Sequence, residues 1–295
     1  MAMFQERNGR FSPEKTFALG AVLAPLVWLA WRVWISDFSA RPITEVLHFT
    51  GLWAVRLLLL SLTVTPLRRL FHWPKLMLAR RTLGLAALGY ASLHLLLYAA
   101  DQKWNPERIA SEIALRFYLT IGAVALVALM VLGATSFDRA IRALGAKRWI
   151  ALHTCVYGIA ILAILHFLIQ SKLDATEAIL TGGLMGLVLV YRLVFWKFRQ
   201  LDPAGLAALS LVIGVATGLG EMGWYAATTG LDPWQVVAAN FDVSGGLSPA
   251  WWVAGTGVAV ALAAHLKQRV APPASKSPAK SLVKSAISSC PADRS

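Results

Sequence analysis

The sequence predicts an all-α integral membrane protein, a bundle of about eight transmembrane helices with the N-terminus and C-terminus in the cytoplasm. Hydrophobic residues make up 57% of the 295 positions and charged residues only 15%. Long apolar runs recur along the chain, and the Lys and Arg residues collect between them on one side. A chain this apolar is neither a soluble enzyme nor a nucleic-acid binder, despite its net charge of +13.

Eight apolar runs are long enough to cross a bilayer as helices. In chain order they cover residues 17–34, 50–67, 82–100, 117–135, 149–169, 178–196, 203–227 and 248–266. The first run follows a basic leader, but it ends in Trp31-Arg32-Val33-Trp34 and has no small-residue cleavage site. We therefore expect it to be an uncleaved membrane anchor.

The charges between the runs predict the orientation. An even number of spans places both termini on one side, together with residues 68–81, 136–148 and 197–202. These segments are rich in Lys and Arg, whereas the opposite loops hold more acidic than basic residues. The positive-inside rule assigns the basic side to the cytoplasm.

Ionisable residues within the spans are the natural candidates for chemistry, because burying them in lipid is costly. Three histidines stand out, His94 in the third span and His153 and His166 in the fifth. Histidines on facing helices can clamp a haem iron. Polar packing contacts, a proton path or a different metal remain alternatives at this point. His48 and His72 are predicted to be ordinary surface histidines in loops.

Helix rise gives the depth of each histidine. His94 lies about 20 Å and His166 about 27 Å from the cytoplasmic ends of their spans, but His153 lies only about 7 Å from that end. His94 is thus closer in depth to His166. If both ligate one iron, that iron lies toward the periplasmic side, and His153 is left toward the cytoplasm as a candidate ligand for a second site. Arg56, near the periplasmic end of the second span, could pair with a haem propionate. The alternative is an Arg56 that snorkels or pairs with a loop residue.

Several strings together resemble one family. They are Thr65-Pro66-Leu67-Arg68-Arg69, Arg80-Arg81-Thr82-Leu83-Gly84-Leu85, Tyr90-Ala91-Ser92-Leu93-His94, Ala134-Thr135-Ser136, Trp149-Ile150-Ala151-Leu152-His153 with Tyr157, and Leu165-His166. Over residues 40–200 the chain resembles the MsrQ (YedZ) family, within the ferric-reductase-like transmembrane superfamily. It departs from the family pattern at Arg116-Phe117-Tyr118, which has no proline between the arginine and the aromatic residue.

The resemblance implies an electron-transfer subunit of the bacterial inner membrane that carries one or two haem b groups. Electrons would come from the quinone pool or a flavin reductase and pass to MsrP, a periplasmic molybdopterin subunit that reduces protein methionine sulfoxide. His94, His153 and His166 match the histidines that the family offers to haem. FMN is also associated with the family, but no residue here can be assigned to it.

The predicted organisation has four parts. Residues 1–40 form a leader and the first span, 41–200 the haem-binding core, 201–270 a two-helix extension, and 271–295 a disordered basic tail that contacts anionic lipid. Two other functions stay open: a transmembrane ferric or quinone reductase that works alone, and a haem-free proton-coupled transporter. The sequence has no glycine-rich dinucleotide fingerprint, so we expect the reducing power to come from elsewhere.

Overall fold

The structure is a computed structural model that describes residues 12–38, 40–172, 174–244 and 246–270. Within these ranges no strand occurs. The helices are α1 (Pro13–Trp34), α2 (Pro42–Leu70), α3 (Met77–Asp101), α4 (Pro106–Leu115), α5 (Phe117–Ala134), α6 (Asp138–Leu144), α7 (Ala146–Thr154), α8 (Val156–Gln170), α9 (Thr176–Phe198), α10 (Pro203–Thr229), α11 (Pro233–Ala239) and α12 (Pro249–Val270).

The described residues contain eight helical segments that are long and apolar enough to cross a membrane, which confirms the predicted all-α membrane bundle. The chain is therefore a multi-pass membrane protein. Helices α7 and α8 form one span that is interrupted only at Cys155, whose backbone stays in the right-handed helical region. A short 3-10 turn, Pro74–Leu76, leads into α3. The predicted disordered tail lies outside the described residues.

The helix starts follow local sequence signals. Proline stands in the first turn of α1, α2, α4, α10, α11 and α12, where its missing N–H costs nothing. The side chains of Ser12, Asn105 and Asp202 accept hydrogen bonds from backbone N–H groups in the first turns of α1, α4 and α10. Gly230, with φ of 71°, ends α10 in the left-handed conformation.

Five spans around α2 share one apolar core. Helix α2 packs along α3, α5 packs along α8, and α9 lies against α2 and α8. Leu57, Leu62, Ala87 and Met185 are almost fully buried in this core. Helix α1 packs on the outside of α3, where the Tyr90 hydroxyl donates a hydrogen bond to the carbonyl of Val22.

The last two spans, α10 and α12, pack on each other and against α9. Small residues allow close contact, because a Cβ at Gly214 would lie 2.7 Å from that of Ala254. The outer face of α10 is apolar, with Val212 and Val215 more than 60% exposed, as expected for a surface in contact with lipid.

Candidate functional site

A cavity of about 550 Å³ lies between two helix pairs, α2 with α3 and α5 with α8. Its volume falls within the range of about 300–1,000 Å³ that is typical of cofactor pockets. Most of the lining is aliphatic, and polar groups lie mainly toward the segment that joins α8 to α9. His94 of α3 and His166 of α8 both line the cavity.

Each of these histidines is held by a backbone carbonyl of the neighbouring helix. His94 Nδ1 lies 2.8 Å from the carbonyl oxygen of Leu47, and His166 Nδ1 lies 2.7 Å from that of Tyr118. A carbonyl only accepts, so in both rings Nδ1 carries the proton and donates. Both Nε2 atoms consequently keep a free lone pair, which is the form in which histidine binds a metal.

A glycine makes room for each ring. A Cβ built on Gly51 would come within 2.9 Å of His94, and one built on Gly122 within 2.8 Å of His166. Each glycine follows by one helical turn the residue whose carbonyl accepts the hydrogen bond, Leu47 on α2 and Tyr118 on α5. The two histidines are thus seated in the same way on two different helix pairs.

The two imidazole rings are placed as a pair. Their centroids are 6.4 Å apart and their planes cross at 83°. A metal–nitrogen bond of about 2 Å on each side, plus the two ring radii, gives roughly 6 Å. Over the described ranges of the chain, no cluster of three or more His, Cys, Asp or Glu could hold a bare ion. The site therefore fits a metal whose other positions are filled by a macrocycle, as in haem.

Two further side chains of the cavity are buried without a partner. The hydroxyl of Tyr98 and Oε1 of Gln170 form no hydrogen bond with any part of the chain that the structure describes. Buried polar atoms are normally satisfied, so both point to a polar group of a bound molecule. The cavity thus offers two metal-binding nitrogens, an apolar wall and two hydrogen-bonding groups.

The polar end of the cavity carries Lys172, Asp174 and Glu177. Hydrogen bonds from Thr176 lower the pKa of the Asp174 carboxyl group, which keeps it ionised. His48 also lines the cavity and is exposed. Its predicted place in a loop is wrong, because α2 already begins at Pro42.

Arg56 does not line the cavity, but Glu177, with which it forms an ion pair, does. Its Nη2 lies 2.7 Å from Oε2 of Glu177, and its guanidinium lies over the ring of Trp53. With α2 starting at Pro42, Arg56 lies about 20 Å along the helix, deeper than the sequence predicted. Its pairing with a haem propionate stays a prediction.

His153 lies apart from this cavity. Its ring stacks on Trp149 with 4.0 Å between the centroids, and Nε2 lies 3.2 Å from Oγ1 of Thr135. No histidine ring among the described residues contacts it. The interruption at Cys155 separates His153 from the helix that carries His166. A metal site at His153 stays a prediction.

Sequence reasoning missed the two glycines. Gly51 and Gly122 stand within apolar helices, where small residues are common and usually serve helix packing. Each glycine follows by four residues the residue whose carbonyl accepts the histidine hydrogen bond, and this spacing becomes meaningful only once the opposite histidine is known. The same is true of Tyr98, which looks like any interfacial tyrosine at the end of a span.

The fold and the paired histidines define a class. Residues 50–164 match the family described as "Ferric reductase like transmembrane component". This range covers most of α2, all of α3 and α5, and the first part of α8 up to two residues before His166. The chain is thus a membrane protein with a ferric-reductase-like transmembrane component. No solved structure matches the chain.

Three relatives carry the same name, protein-methionine-sulfoxide reductase heme-binding subunit MsrQ. The protein of Rhodospirillum rubrum is 42% identical over 59% of this chain and 84% of its own length. That of Azospira oryzae is 34% identical over 74% and 97%, and that of Xanthomonas campestris 42% identical over 62% and 86%. The chain belongs to the MsrQ family.

Proposed function

We propose that the chain binds one haem b between Nε2 of His94 and Nε2 of His166 and serves as the membrane electron-transfer subunit of a methionine-sulfoxide reductase system. The observation that carries this proposal is the matched seating of the two rings, each with Nδ1 bound to a carbonyl. The names of the relatives, which describe a heme-binding subunit, support it.

When bound, haem supplies an iron that accepts and releases one electron at a time. The chain contributes position and environment. The Leu47 and Tyr118 carbonyls fix both rings and make the imidazoles more electron-rich. Aliphatic side chains such as Leu58, Leu126 and Leu129 keep water away, while Tyr98 and Gln170 offer hydrogen bonds to polar edges of the group.

One haem agrees better with the geometry than two. The His153 ring stacks on Trp149, and its Nε2 forms a hydrogen bond with Oγ1 of Thr135. To bind iron through Nε2, His153 would have to give up that hydrogen bond. We propose that it is a packing residue near the basic end of the bundle. FMN, implied by the family resemblance, stays a prediction with no residue assigned.

The proposed direction of electron flow follows from charge. The end opposite the cavity carries Arg68, Arg69, Arg80, Arg81, Arg139, Arg142, Lys147 and Arg148. The positive-inside rule places this end in the cytoplasm of a bacterial inner membrane, and the cavity near the periplasm. Electrons from the quinone pool or a flavin reductase would thus leave toward a periplasmic molybdopterin partner, MsrP.

Reoxidation by the partner tests this function. The purified chain is reduced with limiting dithionite under argon and mixed with the periplasmic molybdopterin reductase and a methionine-sulfoxide peptide. We expect the reduced haem bands to decay only when partner and sulfoxide are both present. Decay with ferric citrate but not with the partner would instead indicate a reductase that works alone, and a colourless protein would favour a transporter.

A further inference from the structure

A second cavity, of about 250 Å³, lies between α10, α11 and the start of α12. Two of its lining residues, Leu231 and Gln235, are exposed, so the cavity opens to the surface, whereas Glu221 on α10 is buried. Glu221, His94 and His166 each stand in the last third of their spans. Because these three spans run in the same direction, both cavities lie at the same end of the bundle.

Glu221 is a buried carboxyl group inside a membrane span, only 8% exposed. The side-chain amide of Asn240 donates a hydrogen bond to this carboxyl group. Its Oε2 atom, however, has no hydrogen-bond partner among the residues that the structure describes. An unsatisfied carboxyl group in this setting is costly, and such residues in spans usually serve binding or proton transfer. Neither the paired histidines nor helix packing accounts for the free oxygen.

Asn240 and Glu221 form one unit that faces the cavity. Nδ2 of Asn240 also donates to the carbonyl of Val236 at 3.1 Å, which uses the second amide hydrogen and identifies the nitrogen. Its Oδ1 has no partner in the described part of the chain. This oxygen lies toward α10, 3.6 Å from where a Cβ on Gly218 would stand, one helical turn before Glu221. The backbone carbonyl of Asn240 accepts a hydrogen bond from Nε1 of Trp251, which holds the residue in place.

A third free oxygen lines the same cavity. The hydroxyl group of Ser248, just before α12, is buried and has no partner within the described ranges. Oxygen atoms from α10, from the end of α11 and from the start of α12 thus surround one cavity. Because both amide hydrogens of Asn240 are already used, the unit it forms with Glu221 presents only acceptors to the cavity. A ligand that satisfies these acceptors together must be positively charged or rich in hydrogen-bond donors.

The oxygen atoms favour a metal cation of charge +1. Carboxylate, amide and hydroxyl oxygens are hard ligands, which suit alkali and alkaline-earth ions better than soft metals. Among the described residues that line the cavity, Glu221 is the one carboxylate, so it neutralises a single positive charge. A divalent ion would leave net charge in a partly apolar cavity, which is costly. The cavity is several times larger than one water molecule, about 30 Å³, so the ion keeps part of its hydration shell.

We infer that the second cavity binds a hydrated monovalent metal cation, with Oε2 of Glu221, Oδ1 of Asn240 and the hydroxyl oxygen of Ser248 as its protein ligands. The ion neutralises the buried carboxylate and joins α10, α11 and α12, so it stabilises the two-helix extension. This inference goes beyond the proposed function, because neither the haem nor an electron donor takes part in it.

Binding of radioactive Na⁺ to the full-length protein in detergent tests the inference. It is measured for the natural chain, Glu221→Gln and Ser248→Ala, with Glu107→Gln on the exposed surface of α4 as the matched control at the same end of the bundle. We expect saturable binding to the natural chain and to Glu107→Gln, none to Glu221→Gln, and an affinity several-fold weaker in Ser248→Ala. Unlabelled Na⁺ should displace the label, and choline should not.

Thermal unfolding gives a second readout, because a ligand that binds only the folded state stabilises it. Replacing choline chloride with NaCl at constant ionic strength should raise the melting temperature of the natural chain and of Glu107→Gln by a few degrees. Glu221→Gln should not respond to the exchange. Equal melting temperatures of the natural chain in the two salts would indicate that Glu221 is simply protonated, and would overturn the inference.

The other outcomes separate the cation site from the proposed function. Equal Na⁺ binding in all variants, or none to the natural chain, would overturn the cation site and leave the haem spectrum unaffected. Displacement of the label by choline would also overturn it, in favour of an organic cation. A colourless protein whose Na⁺ binding depends on Glu221 would contradict the proposed function and preserve the cation site. Normal haem bands in Glu221→Gln would show that its loss of Na⁺ binding is not a loss of folding.

Discussion

At the residue scale, the site depends on two histidines that could each have been ordinary packing residues. What distinguishes them is the partner of Nδ1, a backbone carbonyl at 2.7–2.8 Å, and the glycine beneath each ring. A hydrogen bond at Nδ1 leaves Nε2 to the cavity, and glycine is the residue that lets the ring approach the neighbouring helix. His153 has neither feature.

Substituting these glycines should reduce haem binding. In Gly51→Ala and Gly122→Ala the added methyl group would meet the imidazole ring at less than 3 Å, so the ring must move off its carbonyl. We expect the haem-to-protein ratio to fall several-fold in each. The matched controls are Gly89→Ala on α3 and Gly158→Ala on α8, where a Cβ meets nothing within 4 Å. Normal haem content in all four variants would argue against the seating described here.

Charge near the site should shift the reduction potential of the haem in opposite directions. Reduction adds negative charge, so Arg56→Gln should lower the midpoint potential and Glu177→Gln should raise it, each on the order of tens of millivolts. The double variant should lie near the natural value, because the pair is neutral as a whole. The measurement is a spectroelectrochemical titration. Unchanged potentials in both single variants would place the ion pair too far from the haem to matter and would rule out the propionate pairing.

At the element scale, the spans could be predicted closely from apolar runs, because lipid requires continuous helices of a fixed length. Prediction erred where polar residues extend a helix beyond the apolar run. Helix α2 begins at Pro42 rather than residue 50, and α4 and α11 form in segments predicted to be loops. Proline at the helix start and the capping residues Asn105 and Asp232 were the available signals for these extensions.

Arg192 joins three helices of the core. Its guanidinium on α9 donates to the hydroxyl of Tyr157 on α8 and to the carbonyl of Leu62 on α2. Lysine cannot reproduce this two-armed contact, so Arg192→Lys should destabilise the bundle by about 1–3 kcal/mol. Thermal unfolding in detergent measures the change, with Arg199→Lys at the exposed end of α9 as the control. A melting temperature equal to that of the control would mean that the contact contributes nothing to stability.

At the scale of the whole molecule, the charge distribution predicts the orientation. Both termini should face the cytoplasm, with Lys103 outside and Lys147 inside. Single cysteines placed at these two positions, in a chain with Cys155 and Cys290 changed to serine, can be labelled in intact cells with a maleimide that does not cross membranes. We expect labelling at position 103 and none at 147. The reverse pattern would invert the bundle and place the histidine cavity near the cytoplasm.

The proximity of His94 and His166 could be predicted from helix rise, but the hydrogen bonds that hold the two rings could not. Depth placed His94 beside His166 because both lie far along spans of the same direction, and the structure brings their rings to 6.4 Å. The hydrogen bonds from Nδ1 depend on the rotation of neighbouring helices, which a single sequence does not encode locally.

The most direct test of the central claim is the absorption spectrum of the purified chain, oxidised and dithionite-reduced, beside three variants. We predict the Soret and reduced α bands of a low-spin haem in the natural protein, loss of most haem in His94→Ala and His166→Ala, and near-normal haem in His153→Ala. A natural protein without haem bands, or full haem in His94→Ala and His166→Ala with loss only in His153→Ala, would contradict the account.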